Sequence, residues 1–451
     1  MVGRKDWAPN AGPDEGVERI FGDERTYTTQ VLPRDKLVGV LHEHILNELS
    51  DQIEINYGYE VEPKDLGDGE NGPVILSVSR CTEVDEDNDE DEINCDIDAA
   101  ELVEAEMLIA ADGTGRTIAN EMEASDLKNG ELKPGNKFKV TRYVDDNRRI
   151  YKTVPLKLPA DWRHDLNYSA RTNRFNIDAL PADSKGNYCG VLLLKEDDAL
   201  AAADTDPKEL RKFFDENLSQ FSSLIDDEEM ATIAKKKPSF LPSFRYVSPR
   251  LHHNSRTVLV GDCAHTVKPY FGLGANSALE DISVLGDVLS MSQGNISDGK
   301  VVQEFSRLRA KEAKSLVEIS RNLDRPGKLG VLTFIFPLIV DSIFNKLAPS
   351  IFAPNIFGML QNDALTFESI QRRKRIDRVS QSVALGVLFG TIFSLAKLGL
   401  SKLLSSEGRI VRRVVGFGCS MFLLGKGFSK INPNIAVADV LAKLSRKKKT
   451  A

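Results

Sequence analysis

The chain has 451 residues, 41 % of them hydrophobic and 28 % charged, with a formal net charge of −8. That composition excludes a disordered or low-complexity chain and leaves room for about three domains or fewer. Five cysteines, Cys81, Cys95, Cys189, Cys263 and Cys419, are odd in number, scattered and without a C-x-x-C pair. Neither a disulfide framework nor a zinc site is therefore expected, and a reducing compartment fits best.

The first 23 residues are rich in Gly and Pro and show little periodicity, and Arg4, Lys5 and Asp6 interrupt any signal-like apolar run. Leu37, Val38, Val40, Leu41, Leu46 and Leu49 recur at helical spacing, with Arg34 just ahead of them. Residues 52–61 and 74–78 read as short strands. Residues 83–98 carry ten Asp or Glu, without the spacing or glycine turn of a calcium loop, and read as a solvated hairpin insertion. Residues 106–111 are a buried-strand pattern that ends at Asp112-Gly113.

From 133 to about 244 the pattern changes to alternating runs such as 138–140, 175–180 and 188–194, with one polar helix near 207–221. That suits a largely antiparallel sheet, half covered, set between two parts of a nucleotide domain. No internal repeat is visible.

Arg256-Thr257-Val258-Leu259-Val260 is a β-branched apolar run that closes at Gly261-Asp262. Cys263-Ala264-His265, Pro269 and Gly272-Leu273-Gly274-Ala275-Asn276 follow, and the chain then runs on as a helix. Glycines at 272 and 274 let a backbone approach a ligand closely. The helix start adds free N–H groups and a positive dipole end. A carboxylate closing a strand beside such a loop is placed to accept hydrogen bonds from sugar hydroxyls.

After Arg325-Pro326-Gly327 come apolar stretches at 329–347, 382–404 and 414–425. A membrane span needs about 20 apolar residues, which only the second stretch provides. From 369 to the end, 17 Lys or Arg stand against three acids, a charge of +14, so the rest of the chain carries −22. Basic residues flanking apolar helices point to a membrane surface and away from nucleic acid. The competing reading is a helical hairpin buried against the body.

The run G-D-x-A-H…P…G-x-G-x-N…E-D resembles the second flavin-contacting motif of the FAD-dependent aromatic hydroxylases (class A flavoprotein monooxygenases), and within them the kynurenine 3-monooxygenase branch. The resemblance implies that Asp262 binds FAD hydroxyls and Pro269 lies beside the isoalloxazine ring. It implies too that the loop Gly272, Leu273, Gly274, Ala275, Asn276 holds that ring through backbone N–H groups. Asp112-Gly113-Thr114-Gly115-Arg116 resembles the family's D-G motif, whose aspartate helps bind FAD and the reduced nicotinamide cofactor. Arg116 stands where the family has serine, and Ala119 where it has arginine, so Arg116 is expected to supply the missing charge toward NADPH. Arg34 resembles the arginine that reaches the FAD pyrophosphate from a helix start. His265 is expected to be structural, and no catalytic or metal-ligating residue is assigned.

Further features bear on the resemblance. Phe21-Gly22 and Asn322-Leu323-Asp324 replace tyrosine-containing stretches of the kynurenine branch. Met1-Val2-Gly3-Arg4 resembles an internal stretch beside the family's substrate pocket. The chain does not open with a G-x-G-x-x-G unit, as FAD enzymes of this class do. The final lysines resemble a dilysine retrieval signal of the endoplasmic reticulum.

The fold expected is α/β: an N-terminally incomplete, glutathione-reductase-type FAD domain with an inserted, mostly antiparallel substrate sheet and C-terminal apolar and basic helices. The boundaries expected are 1–130 and 246–325 for the FAD domain, 131–245 for the sheet and 326–451 for a membrane-associating tail. The function implied is hydroxylation of an aromatic or apolar small molecule with FAD, NAD(P)H and O₂ through a flavin C4a-hydroperoxide. Its expected place is the cytosolic face of the endoplasmic reticulum or the outer mitochondrial membrane. The alternative is a truncated, non-catalytic, membrane-associated scaffold.

Overall fold

Alternating apolar and polar side chains build the largest element seen in the computed structural model, a seven-stranded sheet. The structure describes residues 1–403, apart from 9–10, 22–28, 68–71, 84–92, 97–98, 130–131, 145–146, 173, 203–204, 297–298 and 325–329. The sheet runs in the order β13 (Ser239–Phe240), β9 (Arg149–Lys157), β12 (Asn187–Lys195), β11 (Asn176–Pro181), β10 (Leu166–Arg171), β1 (Gly3–Trp7), β2 (Val17–Ile20). Every neighbouring pair is antiparallel except β1 with β10.

Along β9 every second residue, Ile150 to Leu156, is buried, as a half-covered sheet requires. That face packs under helices α3 (Pro207–Asn217), α4 (Ser219–Ser222) and α5 (Asp227–Lys235), where Phe175, Phe213, Phe214 and Phe221 meet Trp7 and Tyr168. Asp206 and Asp226 cap α3 and α5 by accepting the N–H of Lys208 and of Glu229. The sheet is mostly antiparallel, as expected, but its boundary is corrected. The N-terminal 20 residues supply β1 and β2, so they belong to the sheet and not to the FAD-domain portion. Gly3 permits that pairing, since a Cβ there would lie 2.6 Å from the Arg19 carbonyl oxygen.

A second core lies around two three-stranded sheets. One is β15 (His252–His253), β16 (Thr257–Leu259) and β7 (Leu108–Ala110), with β16 and β7 parallel. The other is β17 (His265–Thr266), β14 (Arg245–Ser248) and β8 (Lys139–Arg142). Helices α2 (Thr117–Lys128), α6 (Leu273–Met291) and α7 (Lys300–Leu323) contribute Met122, Leu285 and Phe305 to this core. Strand β8 pairs with β14 here, so it also lies outside the substrate sheet expected for 131–245.

A smaller sheet joins β3 (Tyr59–Asp65), β4 (Val74–Glu83), β5 (Ile93–Cys95) and β6 (Glu101–Ala105). The strand expected from 52 begins only at Tyr59, and the acidic insertion is entered and left by the antiparallel pair β4 and β5. A disulfide joins Cys81 to Cys95 across that pair, against the expectation that the cysteines form none. Helix α1 (Arg34–Glu48) buries no residue, and β7 forms an open sheet edge among the described residues.

Residues 1–324 form one compact unit and 325–451 another. In the second, a π-helical turn at Val331–Ile335 leads into α8 (Phe336–Leu347), α9 (Ile356–Leu360) and α10 (Phe367–Leu403). Buried Asp341 of α8 accepts from Arg378 at 2.8 Å and from Gln381 at 2.8 Å, and pairs with Lys374 at 2.9 Å, which ties α10 to α8. Beyond that cluster α10 turns apolar and exposed, with Val387, Phe389 and Phe393 all open to solvent. The apolar stretch 414–425 lies outside the described residues.

His252 gives this fold a pH dependence. Burial first, then the charges of Arg250 and His253, lower its pKa to about 4. Between that value and the ordinary 6.5 the unfolded chain takes up a proton that the native chain refuses, so stability falls as pH drops from 6.5 toward 4. The contribution is about 3 kcal/mol. The His252→Gln variant is expected to flatten that part of a plot of urea midpoint against pH; a slope equal to wild type refutes the assignment.

Candidate cofactor site

The turn after β16 begins at Gly261, whose φ of +67° suits glycine and whose N–H donates to the Asp281 carboxylate at 2.9 Å. Asp262 follows at the head of a 3₁₀ turn, Gly261–Cys263. Its carboxylate takes no hydrogen bond among the described residues. Burial raises its pKa above the ordinary carboxylate value, against the opposing charges of His265, Arg116 and Arg34. A second 3₁₀ turn, Pro269–Phe271, leads to Gly272, which adopts the left-handed region at φ +64° and starts α6.

Gly272 caps α6 without a side chain, and a Cβ there would point into open space. Leu273, Gly274 and Ala275 thus form an uncapped first helical turn whose N–H groups have no intrahelical partner. Asn276 closes the loop by donating from Nδ2 to the Gly272 carbonyl at 2.9 Å. Pro269, Gly272, Ala275 and Asn276 are exposed, and Leu273 and Gly274 half-buried.

Asp112 lies on the other strand of the parallel pair, just past β7, and accepts the Ile118 N–H at 3.1 Å as a cap of α2. The two carboxylate turns meet at Arg116. This residue is 1 % exposed and has a φ of +60°, which is uncommon for a residue with a side chain. Its Nε donates to the Cys263 carbonyl at 3.1 Å and its Nη1 to the Thr114 carbonyl at 3.2 Å. Its Nη2 donates to the Asp262 carbonyl and the Thr266 hydroxyl. Burial, then the charge of Arg245, lowers its pKa to about 10, which leaves it charged at neutral pH. Arg116 therefore does not reach toward a nicotinamide cofactor: the guanidinium is enclosed and fully engaged. Arg34, at the first turn of α1, is exposed and within electrostatic reach of Asp262.

A buried relay supports the turn from behind. His265 Nε2 lies 2.7 Å from Asp281 Oδ2, and Arg309 of α7 donates to Asp281 Oδ1 at 2.7 Å and pairs with Glu280 at 2.9 Å. Burial opposes ionisation of Asp281, yet its bond to His265 and the charges of His265 and Arg309 hold its pKa below the ordinary value. His265 is fully enclosed on this relay, a position that suits a structural role. Cys263 donates from Sγ to the Ala110 carbonyl at 3.1 Å, and burial, then Asp112, pushes its thiol up to about 12. It is inert as a nucleophile.

Sequence reasoning missed Arg309, Thr266 and Lys268. The Lys268 Nζ, one residue before Pro269, donates to Asp324 at 2.7 Å and to the Asn147 carbonyl at 2.7 Å. Burial raises the Asp324 pKa, and the bond to Lys268 and its charge oppose that rise.

Removing Arg116 takes the donor from the Cys263 carbonyl and leaves the Asp262 carbonyl with the Thr266 hydroxyl alone, at a cost of about 3 kcal/mol. The Arg116→Ala variant is expected to melt several degrees below wild type, with Arg116→Lys in between. Equal melting temperatures in circular dichroism contradict the clamp.

Residues 74–320 match the FAD binding domain family. Kynurenine 3-monooxygenase of Candida albicans is 24 % identical over 245 residues, covering 50 % of this chain and 52 % of that one. The same enzyme of Salinispora tropica is 24 % identical over 301 residues, covering 65 % and 62 %. Violacein synthase of Chromobacterium violaceum is 25 % identical over 305 residues, covering 66 % and 67 %. The chain thus spans about half to two-thirds of the length of these relatives. Asp112, Arg116, Asp262 and the Gly272 turn all fall inside the match, and Arg34 lies outside it. A match over more than half of the chain establishes that it belongs to the FAD binding domain family.

Proposed function

We propose that the chain is the flavin-ring-binding body of an FAD-dependent monooxygenase. It uses NAD(P)H and O₂ to hydroxylate an aromatic or apolar small molecule at a membrane surface. The observation that carries this reading is the half-buried Asp262 carboxylate, without a hydrogen bond among the described residues, on a turn that Asp281 ties to α6, together with the uncapped start of α6. A buried carboxylate without a donor is costly, and hydroxyl groups of a sugar alcohol chain would relieve it. The fit is good: Gly272 leaves open space where a side chain would stand, and the first-turn N–H groups suit an electron-rich ring edge.

FAD, when bound, would supply electron transfer from the nicotinamide and activation of O₂. The residues of this chain have the remaining tasks. Asp262 accepts hydroxyls, the Gly272 to Asn276 turn orients the ring, and Pro269 borders it. Asp112 and Arg34 address the outer part of the cofactor. The Arg116 clamp and the Asp281 relay keep these parts in register. The seven-stranded sheet offers the substrate its uncovered face.

Titration of the full chain in detergent, followed by flavin fluorescence quenching, tests the reading. Saturable binding is expected, weakened by about tenfold or more in Asp262→Ala, the effect of losing hydrogen bonds to a charged acceptor. Only ionised Asp262 accepts two hydroxyls, and its pKa is raised, so affinity should weaken as acid protonates it; Asp262→Asn should flatten that dependence. Absence of flavin binding, or binding indifferent to position 262, overturns the proposal.

The membrane part rests on α10, whose basic start leads into exposed Val383, Val387, Leu388, Phe389 and Ile392. The chain is expected to float with phosphatidylserine-containing vesicles in a density gradient. Leu388→Asp combined with Ile392→Asp should leave it at the bottom. Equal flotation of that variant rules out α10 as the anchor.

A further inference from the structure

Away from the cofactor site, one cluster of the first unit has ligand chemistry that neither the fold nor the proposed reaction uses. Cys81 and Cys95 are direct partners in the antiparallel β4–β5 ladder, and their sulfurs are joined. Glu60 stands on β3, opposite Ser79 of β4. Its carboxylate oxygen and the two sulfurs all lie within 4.8 Å of one another. Both cysteines are partly buried and Glu60 is exposed, so solvent reaches the group.

We propose that Cys81 and Cys95, when reduced, bind a thiophilic divalent cation such as Zn(II) together with Glu60, and that the disulfide is the metal-free state of the same site. Two thiolates held side by side on adjacent strands repel each other and the nearby carboxylate. A dication bound between them removes that repulsion. The sequence around the pair sharpens the argument, because residues 83–98 carry ten Asp or Glu. Such a field opposes bare thiolates, and so disfavours a nucleophilic role, while it concentrates cations.

The donor set decides which cation. Two sulfurs and one carboxylate suit zinc, whereas calcium and magnesium take oxygen ligands only. Three protein ligands leave a fourth position for water, the arrangement of an exchangeable site rather than a closed structural one. The Glu60 carboxylate has no hydrogen bond or ion pair among the described residues, and a neutral disulfide gives it none. A cation would.

The redox step balances with a small-molecule thiol as reductant. One thiolate attacks a sulfur of the Cys81–Cys95 bond and forms a mixed disulfide; a second displaces it. The two small thiols leave as their disulfide, having supplied two electrons, and each cysteine takes up one proton. Metal binding then releases both protons. Oxidation by a small-molecule disulfide runs the same steps backward and expels the cation.

The test uses the full chain, reduced with a phosphine, stripped with a chelator and titrated with Co(II) as the spectroscopic probe. The expected result is one Co(II) per chain with a thiolate-to-cobalt charge-transfer band, which Zn(II) abolishes by displacement. Diamide-oxidised chain should show no band. Cys81→Ser and Cys95→Ser should each lose it with unchanged circular dichroism, whereas Cys189→Ser should keep it. Glu60→Gln should keep the band and weaken binding about tenfold, or about 1.4 kcal/mol. If reduced wild type shows no thiolate band, or Cys81→Ser and Cys95→Ser bind Co(II) as wild type does, the proposal falls. Neither outcome depends on flavin.

Discussion

The constraint on which the candidate site depends is the enclosure of one positive charge. A guanidinium that is 1 % exposed must find partners for its N–H groups, and Arg116 finds them on backbone carbonyls and one hydroxyl. That choice of partner matters. Had Arg116 paired with Asp112 or Asp262 directly, the carboxylate would be spent. Instead Asp112 remains to cap α2 and the Asp262 carboxylate remains without a hydrogen bond among the described residues, while the guanidinium lowers the cost of ionising Asp262. The unusual φ of Arg116 places its side chain back under its own turn, and α2 starts at the next residue.

The relay behind the turn follows the same logic one layer deeper. Asp281 accepts from the Gly261 N–H, from Arg309 and, at 2.7 Å, lies against His265, so one carboxylate fixes the loop, the strand β17 and the helix α7 relative to α6. Buried ion pairs contribute little net stability compared with apolar packing of the same volume. Their value here is geometric: a slip of α6 along its axis would part Asp281 from Arg309, and leaving those buried charges unpaired costs several kcal/mol where an apolar contact would merely shift. The ring-facing turn is thus held by something less tolerant than hydrophobic packing.

Most of the architecture was legible from periodicity. The strand at Thr257–Leu259, the glycine turn, helix α6 and strands β11 and β12 all stand where the spacing put them, because each pattern is local. What failed was non-local. Nothing in the first 20 residues announces that they complete a sheet whose neighbouring strand starts at Leu166, because β1 is short and its parallel pairing leaves no hairpin turn to read. One polar helix is expected near 207–221, whereas α5 follows as a further helix that Asp226 caps and whose Met230 and Ile233 are buried. The Cys81–Cys95 pair is a matter of strand register, which cysteine arithmetic does not contain. Arg116 was legible as a departure from a motif, but its direction was not, since sequence spacing says nothing of burial.

The two loop glycines show how far a motif letter stands from a physical cause. Gly272 has a positive φ and open space around its missing Cβ, so the backbone conformation, not crowding, calls for glycine there. Gly274 has ordinary helical geometry, but a Cβ on it would come within 3.2 Å of Val267 Cγ2. Its smallness lets the start of α6 close onto the segment between His265 and Pro269. One glycine therefore turns the chain and leaves room outside it, while the other seats the helix against the turn. An alanine would strain the first through its backbone and the second through its neighbour. The same letter in the motif thus answers two separate requirements, and only their combination leaves an uncapped, exposed helix start.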